Sequence, residues 1–146
     1  MTDNLTTIAG KIRDWAHDLG FQAVGITHTE LDDAGNRLNQ WLNQDLNADL
    51  EYMAAHGSQR CRPDELVPGT QRIIAVRLVY RPEPDDPETV LADDEKAYIT
   101  RYSLGRDYHK LMRKRLAKLA KWIDEALPGY YHRAFVDSAP VMEKPI

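Results

Sequence analysis

The stretch RIIAVRLVY, residues 72–80, is the clearest strand in the sequence. Its apolar side chains follow one another almost without interruption, which is typical of a strand that is covered on both faces. Shorter strands are predicted over residues 21–27 and residues 130–136. The chain therefore contains strand patterns near its start, in its middle and near its end.

Helical spacing dominates between these strands. Apolar residues spaced by three and four predict a helix over residues 7–19, capped by Thr6 or Thr7 and ended by Gly20. A second helix is predicted over residues 32–46, with a short helical piece near residues 50–57. The longest pattern begins at Asp107 and predicts an amphipathic helix of about five or six turns. Helices and strands in this order predict an α/β or α+β domain, with a mixed sheet covered by helices.

Composition narrows the class of protein. The 146 residues suit one domain, and 42% of them are hydrophobic, which is enough for a core. The formal net charge of −4 does not indicate a nucleic-acid-binding protein. Cys61 is the only cysteine, so the chain alone can form neither a disulfide nor a cysteine-ligated cluster. Neither a signal peptide nor a membrane helix is evident, and a cytoplasmic location is expected.

Charge is unevenly distributed along the chain. Residues 82–95 carry carboxylates, prolines and no basic residue, and the segment that contains them, residues 81–96, is interpreted as an exposed connector. Four lysines lie on one side of the long predicted helix, namely Lys110, Lys114, Lys118 and Lys121. A stripe of this kind either meets a phosphate backbone or is an ordinary solvated helix face, and spacing alone leaves both interpretations open.

Two segments have the composition of a functional site. RYSLGRDYHK, residues 101–110, places arginine, tyrosine and histidine around a helix start, where they suit an anion or a planar ligand. Alternatively, Asp107 only caps the helix and His109 lies at a surface turn. FVDSAPVMEK, residues 135–144, puts an acid and a hydroxyl at a strand end. Asp137 or Ser138 either caps a helix that starts near Pro140 or supplies an acid able to donate a proton.

Five strings together resemble one known family. They are LGFQAVGIT (19–27), EYMAAH (51–56), RCRPDELVPGTQRIIAV (60–76), RYSLGRDYHKLMRKRL (101–116) and FVDSAPVMEK (135–144). They occur in the order seen in epoxyqueuosine reductases and cover nearly the whole chain. The sequence departs from the family at NADLEYM (47–53), where relatives commonly have a glycine-rich turn.

The resemblance implies an enzyme that depends on cobalamin and two [4Fe–4S] clusters. Such enzymes reduce the epoxide of epoxyqueuosine, in tRNA with a GUN anticodon, to queuosine, with electrons from an external donor. It also implies that residues 1–146 form an N-terminal catalytic and corrinoid-binding domain, similar to corrinoid-processing and nitroreductase-like proteins. The ferredoxin-like iron–sulfur domain is absent from this chain, so the fragment alone is expected to be inactive. Its incomplete sheet could cause artificial oligomers.

The resemblance also assigns residues. Asp137 matches the general acid and also lies where the cofactor binds. Further cofactor-binding positions are Arg60, Thr100, Arg101 and Tyr102, although relatives vary at Thr100. Arg106 and Lys110 are the substrate-binding candidates, for tRNA phosphates. Two other functions remain open: a corrinoid-trafficking module without redox turnover, and an RNA-binding domain that uses its basic helix.

Overall fold

The computed structural model describes residues 2–79, 86–100, 103–137 and 139–146. Within these ranges the chain forms five α-helices and two β-strands: α1 (Thr2–Asp18), β1 (Ala23–Thr27), α2 (Asp32–Asn43), α3 (Pro63–Leu66), β2 (Ile73–Arg77), α4 (Pro87–Leu91) and α5 (Tyr108–Ala126). Two 3-10 helices, Glu51–Met53 and Gly57–Arg60, lie between α2 and α3. The predicted mixed α+β class is confirmed.

The sheet of the described residues consists of β1 and β2, which pair in antiparallel orientation with Gly25 opposite Ala75. Gln22 extends the pairing beyond the strand ends. Its backbone N–H donates to the carbonyl of Arg77 at 2.9 Å, and its side-chain oxygen accepts from the N–H of Val79 at 2.6 Å. Residues 73–76 of β2 are partly buried and Arg77 is exposed, so both faces of the strand are partly covered.

The core lies where α1, α5 and the sheet meet. Ala16, Phe21, Leu78 and Leu119 form its buried cluster, and the Phe21 side chain is 2% exposed. Burying a phenylalanine contributes roughly 1.5–3 kcal/mol, so this cluster is a main source of the attachment between the two long helices. The core therefore fixes α5, which carries the candidate site at its first turn.

Gly20 ends the first helical segment, as predicted. Its φ of 81° is in the left-handed region, which glycine adopts without steric cost. A Cβ at this position would lie 2.9 Å from Nη1 of Arg115, a residue of α5. That guanidinium donates to the carbonyl oxygen of Gly20 at 3.4 Å, so the end of α1 is joined directly to α5.

Several predicted boundaries shift. The first helix begins at Thr2 and not at residue 7, so neither Thr6 nor Thr7 caps it, and the second helix ends at Asn43. The strand expected over residues 130–136 does not form, because β1 and β2 pair only with each other in the described part of the chain. Residues 130–134 are exposed instead. Residues 139–146 contain bends and a turn but no helix after Pro140.

Candidate functional site

The site begins with the N-cap of α5. Asp107 accepts a hydrogen bond from the backbone N–H of His109 at 3.0 Å, which satisfies a donor at the helix start. The same oxygen lies 2.9 Å from Nδ1 of the His109 ring. This side-chain hydrogen bond is the main reason why the pKa of Asp107 is lowered from its ordinary value, with smaller contributions from the backbone N–H of His109 and the charge of Lys110. The interpretation of Asp107 as a helix cap is confirmed.

Asp137 contacts the first turn of α5, although it lies 29 residues after Tyr108 in the sequence. The hydroxyl of Tyr108 donates to its Oδ2 at 2.5 Å, and Nε2 of His109 lies 3.1 Å from its Oδ1. Both carboxylate oxygens therefore have a partner on the same helix turn. Asp137 does not cap a helix in residues 139–146, so that interpretation of its role was wrong.

The backbone at Asp137 is unusual. Its φ of 34° lies in the left-handed region, which aspartate and asparagine tolerate better than most residues. The preceding residue, Val136, is buried and anchors the segment, while the Asp137 side chain remains 39% exposed. The carboxyl is thus held by its neighbours and still accessible from solvent.

The rings of Tyr108 and His109 stack on each other. Their centroids are 4.1 Å apart and their planes differ by 22°. The His109 side chain is 38% exposed, so the group formed by Asp107, Tyr108, His109 and Asp137 lies at the surface. A carboxyl, an imidazole and a phenol in mutual contact can hold or transfer a proton to a ligand that reaches Asp137. We call this group the acid cluster.

Arg60, which is predicted to bind the cofactor, makes its contacts within its own loop. Its Nη2 donates to the carbonyl of Tyr52, and its Nε donates to the carbonyl of Ala55 at 3.2 Å. The guanidinium also lies 5.8 Å from the centroid of the Tyr52 ring. Arg60 therefore closes the loop of residues 52–60, and no hydrogen bond or ion pair among the described residues joins it to Asp137.

Thr100 lies in the segment before α5. Its hydroxyl is 3.1 Å from that of Ser103, and its carbonyl accepts from the Ser103 N–H at 2.9 Å. Thr100 is exposed. Arg101 and Tyr102, the other two cofactor-binding candidates, lie outside the described residues.

Arg106 and Lys110 stand on either side of the Asp107 cap, and both are exposed. Arg113 and Lys114 continue the exposed positive charge along the helix. Farther along, the ammonium of Lys118 lies 5.0 Å from the Trp122 ring centroid, and that of Lys121 lies 3.8 Å from a carboxylate oxygen of Glu125. All four lysines of the predicted stripe are thus exposed, and Lys110 is the one nearest in sequence to the Asp107 cap.

The sequence predicted for Tyr108 and His109 only a general role in binding an anion or a planar ligand, with a surface turn as the alternative for His109, and it linked neither residue to Asp137. The signal was present in the string GRDYHK, which concentrates polar side chains at a helix start. Spacing places the two residues on the first turn of α5, but it cannot show that residue 137 approaches that turn. Only the tertiary fold reveals this contact.

Other features of the described residues do not add to this site. No group of three or more His, Cys, Asp or Glu side chains in these ranges could hold a metal ion. A shallow cavity of about 520 Å³ lies between the ends of α1 and α5, and its lining includes Trp15 and Trp122 but no residue of the acid cluster. In the same ranges, no helix has the length and apolar character needed to cross a membrane.

Comparison with known proteins gives a consistent result. The sequence profile described as "Epoxyqueuosine reductase QueG, DUF1730" matches residues 60–138, more than half of the chain. A relative from Pseudomonas aeruginosa, named epoxyqueuosine reductase, is 50% identical over 100% of this chain and 42% of its own length. A relative of the same name from Escherichia coli is 44% identical over 98% of this chain and 38% of its own length. Another from Aliivibrio fischeri is 45% identical over 100% of this chain and 39% of its own length. The chain thus spans about two fifths of the length of these relatives. No solved structure matches it significantly.

Proposed function

The chain belongs to the family described as epoxyqueuosine reductase QueG, DUF1730, and we propose on this basis that it is the N-terminal part of an enzyme that reduces epoxyqueuosine in tRNA to queuosine. The proposal treats residues 1–146 as the catalytic and corrinoid-binding domain. The remaining three fifths of such an enzyme would include the iron–sulfur domain. The position of Asp137 in the acid cluster is the observation that carries the proposal.

The chemistry requires a proton donor. Breaking the first C–O bond of an epoxide leaves a developing alkoxide on the other carbon, and a positioned acid that protonates this oxygen accelerates such a step by about 10²–10⁴-fold. Asp137 is exposed enough to reach a bound nucleoside. Once its proton has moved to the substrate oxygen, the carboxylate that remains can accept hydrogen bonds from Tyr108 and His109. These bonds stabilise the negative charge left on the acid.

The described residues fit a corrinoid in part. Cobalamin has amide side chains around a flat ring, and the exposed hydroxyl of Thr100 and the carboxyl of Asp137 suit hydrogen bonds to such groups. Arg60 keeps three N–H groups beyond the two bound to backbone carbonyls, so it too can contribute a donor. When bound, cobalamin would supply the reducing equivalents that open the epoxide.

Iron–sulfur clusters do not fit this chain. A [4Fe–4S] cluster needs several cysteine thiolates, and Cys61 is the only cysteine in the sequence. The ligands of both proposed clusters must therefore come from another part of the full-length enzyme. That part would receive electrons from an external donor.

The tRNA substrate would meet the positive end of α5. Arg106, Lys110 and Lys114 are exposed beside the acid cluster, so a nucleoside placed at Asp137 would have its neighbouring phosphates within reach of these cations. Arg106 and Lys110 are the residues we assign to phosphate contact. The same positive charges would also suit an RNA-binding domain without catalytic activity. RNA binding alone would not explain why Asp137 contacts both Tyr108 and His109.

Substitution of Asp137 tests the proposal. We expect Asp137→Asn in the full-length enzyme to reduce the rate of queuosine formation by about 10²-fold or more, because the amide cannot donate a proton of comparable acidity. Nucleoside mass spectrometry of the tRNA would measure the conversion. Asp124→Asn is a matched control, since Asp124 also pairs with a histidine, His132, at 3.0 Å but lies outside the acid cluster. Undiminished conversion by Asp137→Asn would overturn the assignment.

A further inference from the structure

The geometry points to His109 as a positioning residue that orients the Asp137 carboxyl toward the substrate oxygen. This inference rests on the proposed function, in which Asp137 is the acid. It concerns how the acid is held, and it assigns that task to a side chain on a different element. Tyr108 supports the same carboxyl from its other oxygen.

His109 is held at both ring nitrogens. Nδ1 lies 2.9 Å from Oδ1 of Asp107, and Nε2 lies 3.1 Å from Oδ1 of Asp137. The ring therefore cannot rotate without breaking both contacts. Its plane is fixed further by stacking on Tyr108. The imidazole is a rigid connection between two carboxylates.

The rigidity of this connection comes from α5. Asp107 is the N-cap of the helix, and the helix is anchored in the core by Leu119, which is 3% exposed. Arg115 attaches the same helix to the carbonyl of Gly20. The position of the His109 ring is thus determined by packing far from the site.

The buried Val136 anchors the backbone before Asp137, whereas the contacts from α5 act on the Asp137 side chain. Residues 130–136 do not pair with a strand in the described part of the chain, and residues 130–134 are exposed. Asp137 itself has a positive φ, and its side chain is 39% exposed. Two bonds from α5, one on each carboxylate oxygen, determine the direction of the carboxyl group.

The predicted consequence is a loss of rate with little loss of binding. A displacement of a reacting group by about 1 Å can reduce a rate by about 10²-fold. We expect His109→Ala to lower kcat about 10- to 100-fold, while KM for tRNA changes less than about threefold, because the phosphate contacts remain.

A conservative variant separates orientation from other roles. The side-chain amide nitrogen of glutamine can occupy a position close to that of Nε2 and donate to Asp137, but it cannot exchange a proton. His109→Gln should therefore recover most of the kcat lost in His109→Ala. A rate for His109→Gln as low as that for His109→Ala would overturn the positioning role. His132→Ala is the control for removal of an exposed histidine that pairs with an aspartate.

A double-substitution cycle distinguishes this inference from the proposed function. If His109 acts through Asp137, adding His109→Ala to Asp137→Asn causes no further loss of rate, whereas independent effects would multiply. Full activity of Asp137→Asn would defeat the proposed function. A strong loss in Asp137→Asn with normal kcat in His109→Ala would defeat this inference alone. Thermal melting of each full-length variant would verify that the fold is retained.

Discussion

Asp107 shows how one side chain serves two parts of the molecule. It caps α5 through the backbone N–H of His109 and holds the ring of the same residue. Its pKa is lowered chiefly by the hydrogen bond from the His109 side chain, which favours the ionised form. The cap and the acid cluster therefore share one carboxylate, which contacts both the backbone N–H and the ring of His109.

The lowered pKa leads to a prediction about stability and pH. A carboxyl whose pKa is lower in the folded protein stabilises the fold above its unfolded value, near 3.8, and this contribution is lost as the pH falls through the folded value. Asp107→Ala should therefore lower the melting temperature of the protein at pH 6 by a few degrees. The difference from the unsubstituted protein should shrink below pH 3.8, as followed by circular dichroism.

Asparagine at position 107 provides the control. Asn caps helices about as well as Asp but has no charge to lose, so at pH 6 Asp107→Asn should keep the stability that comes from capping and lose only the part that comes from the ionised carboxylate. The difference in melting temperature between Asp107→Asn and Asp107→Ala should not depend on pH. An unchanged difference between the unsubstituted protein and Asp107→Ala at pH 3 would contradict the role of the ionised carboxylate.

The long helix α5 divides its faces between two tasks. Its apolar side packs on α1 through residues such as Leu119, and its first turn holds the acid cluster. The exposed cations next to this turn include Arg106 and Lys110, for which we propose phosphate contact. The helix thus places the acid and the positive charge within one short stretch of the molecule.

The salt dependence of RNA binding tests whether these exposed cations contact phosphates. Each phosphate contact that is lost reduces the slope of log K against log salt by about 0.7 to 1. Arg106→Gln and Lys110→Gln should each produce a decrease of this size when the full-length enzyme binds an anticodon stem-loop across a series of salt concentrations. Lys11→Gln, an exposed lysine on α1, is the control. An unaltered slope in both variants would show that the phosphates bind elsewhere.

Sequence patterns predicted individual helices and strands better than they predicted the contacts between them. Apolar spacing predicted the long helix α5, and the continuous apolar run predicted β2, since both signals are local. The strand expected over residues 130–136 failed because a strand depends on a partner, which the local pattern cannot supply. For the same reason Asp137 could be singled out, while its contacts with Tyr108 and His109 could not.

The molecule as a whole is built around a small sheet. Two paired strands are marginal alone, and here they are stabilised by packing against α1 and α5. The cavity at Trp15 and Trp122 lies apart from the acid cluster, and the acid cluster itself is open to solvent. We therefore propose that residues 1–146 provide one side of the corrinoid site and that another part of the full-length enzyme provides the rest.

This incompleteness predicts a difference in affinity. We expect residues 1–146 alone to bind cob(II)alamin at least about tenfold more weakly than a full-length enzyme, because contacts from the rest of that enzyme would be absent. Spectroscopic titration of both proteins under the same conditions would measure the two dissociation constants. Equal affinities would mean that the fragment already holds the whole corrinoid site.

The positive φ at Asp137 restricts which side chains this position tolerates. Branched residues such as valine would clash with their own backbone there, whereas asparagine is accommodated almost as readily as aspartate. Asp137→Asn therefore alters the chemistry of the side chain and leaves the local backbone conformation unchanged. Position 137 is thus suited to a chemical test in which a loss of activity cannot be attributed to a distorted turn.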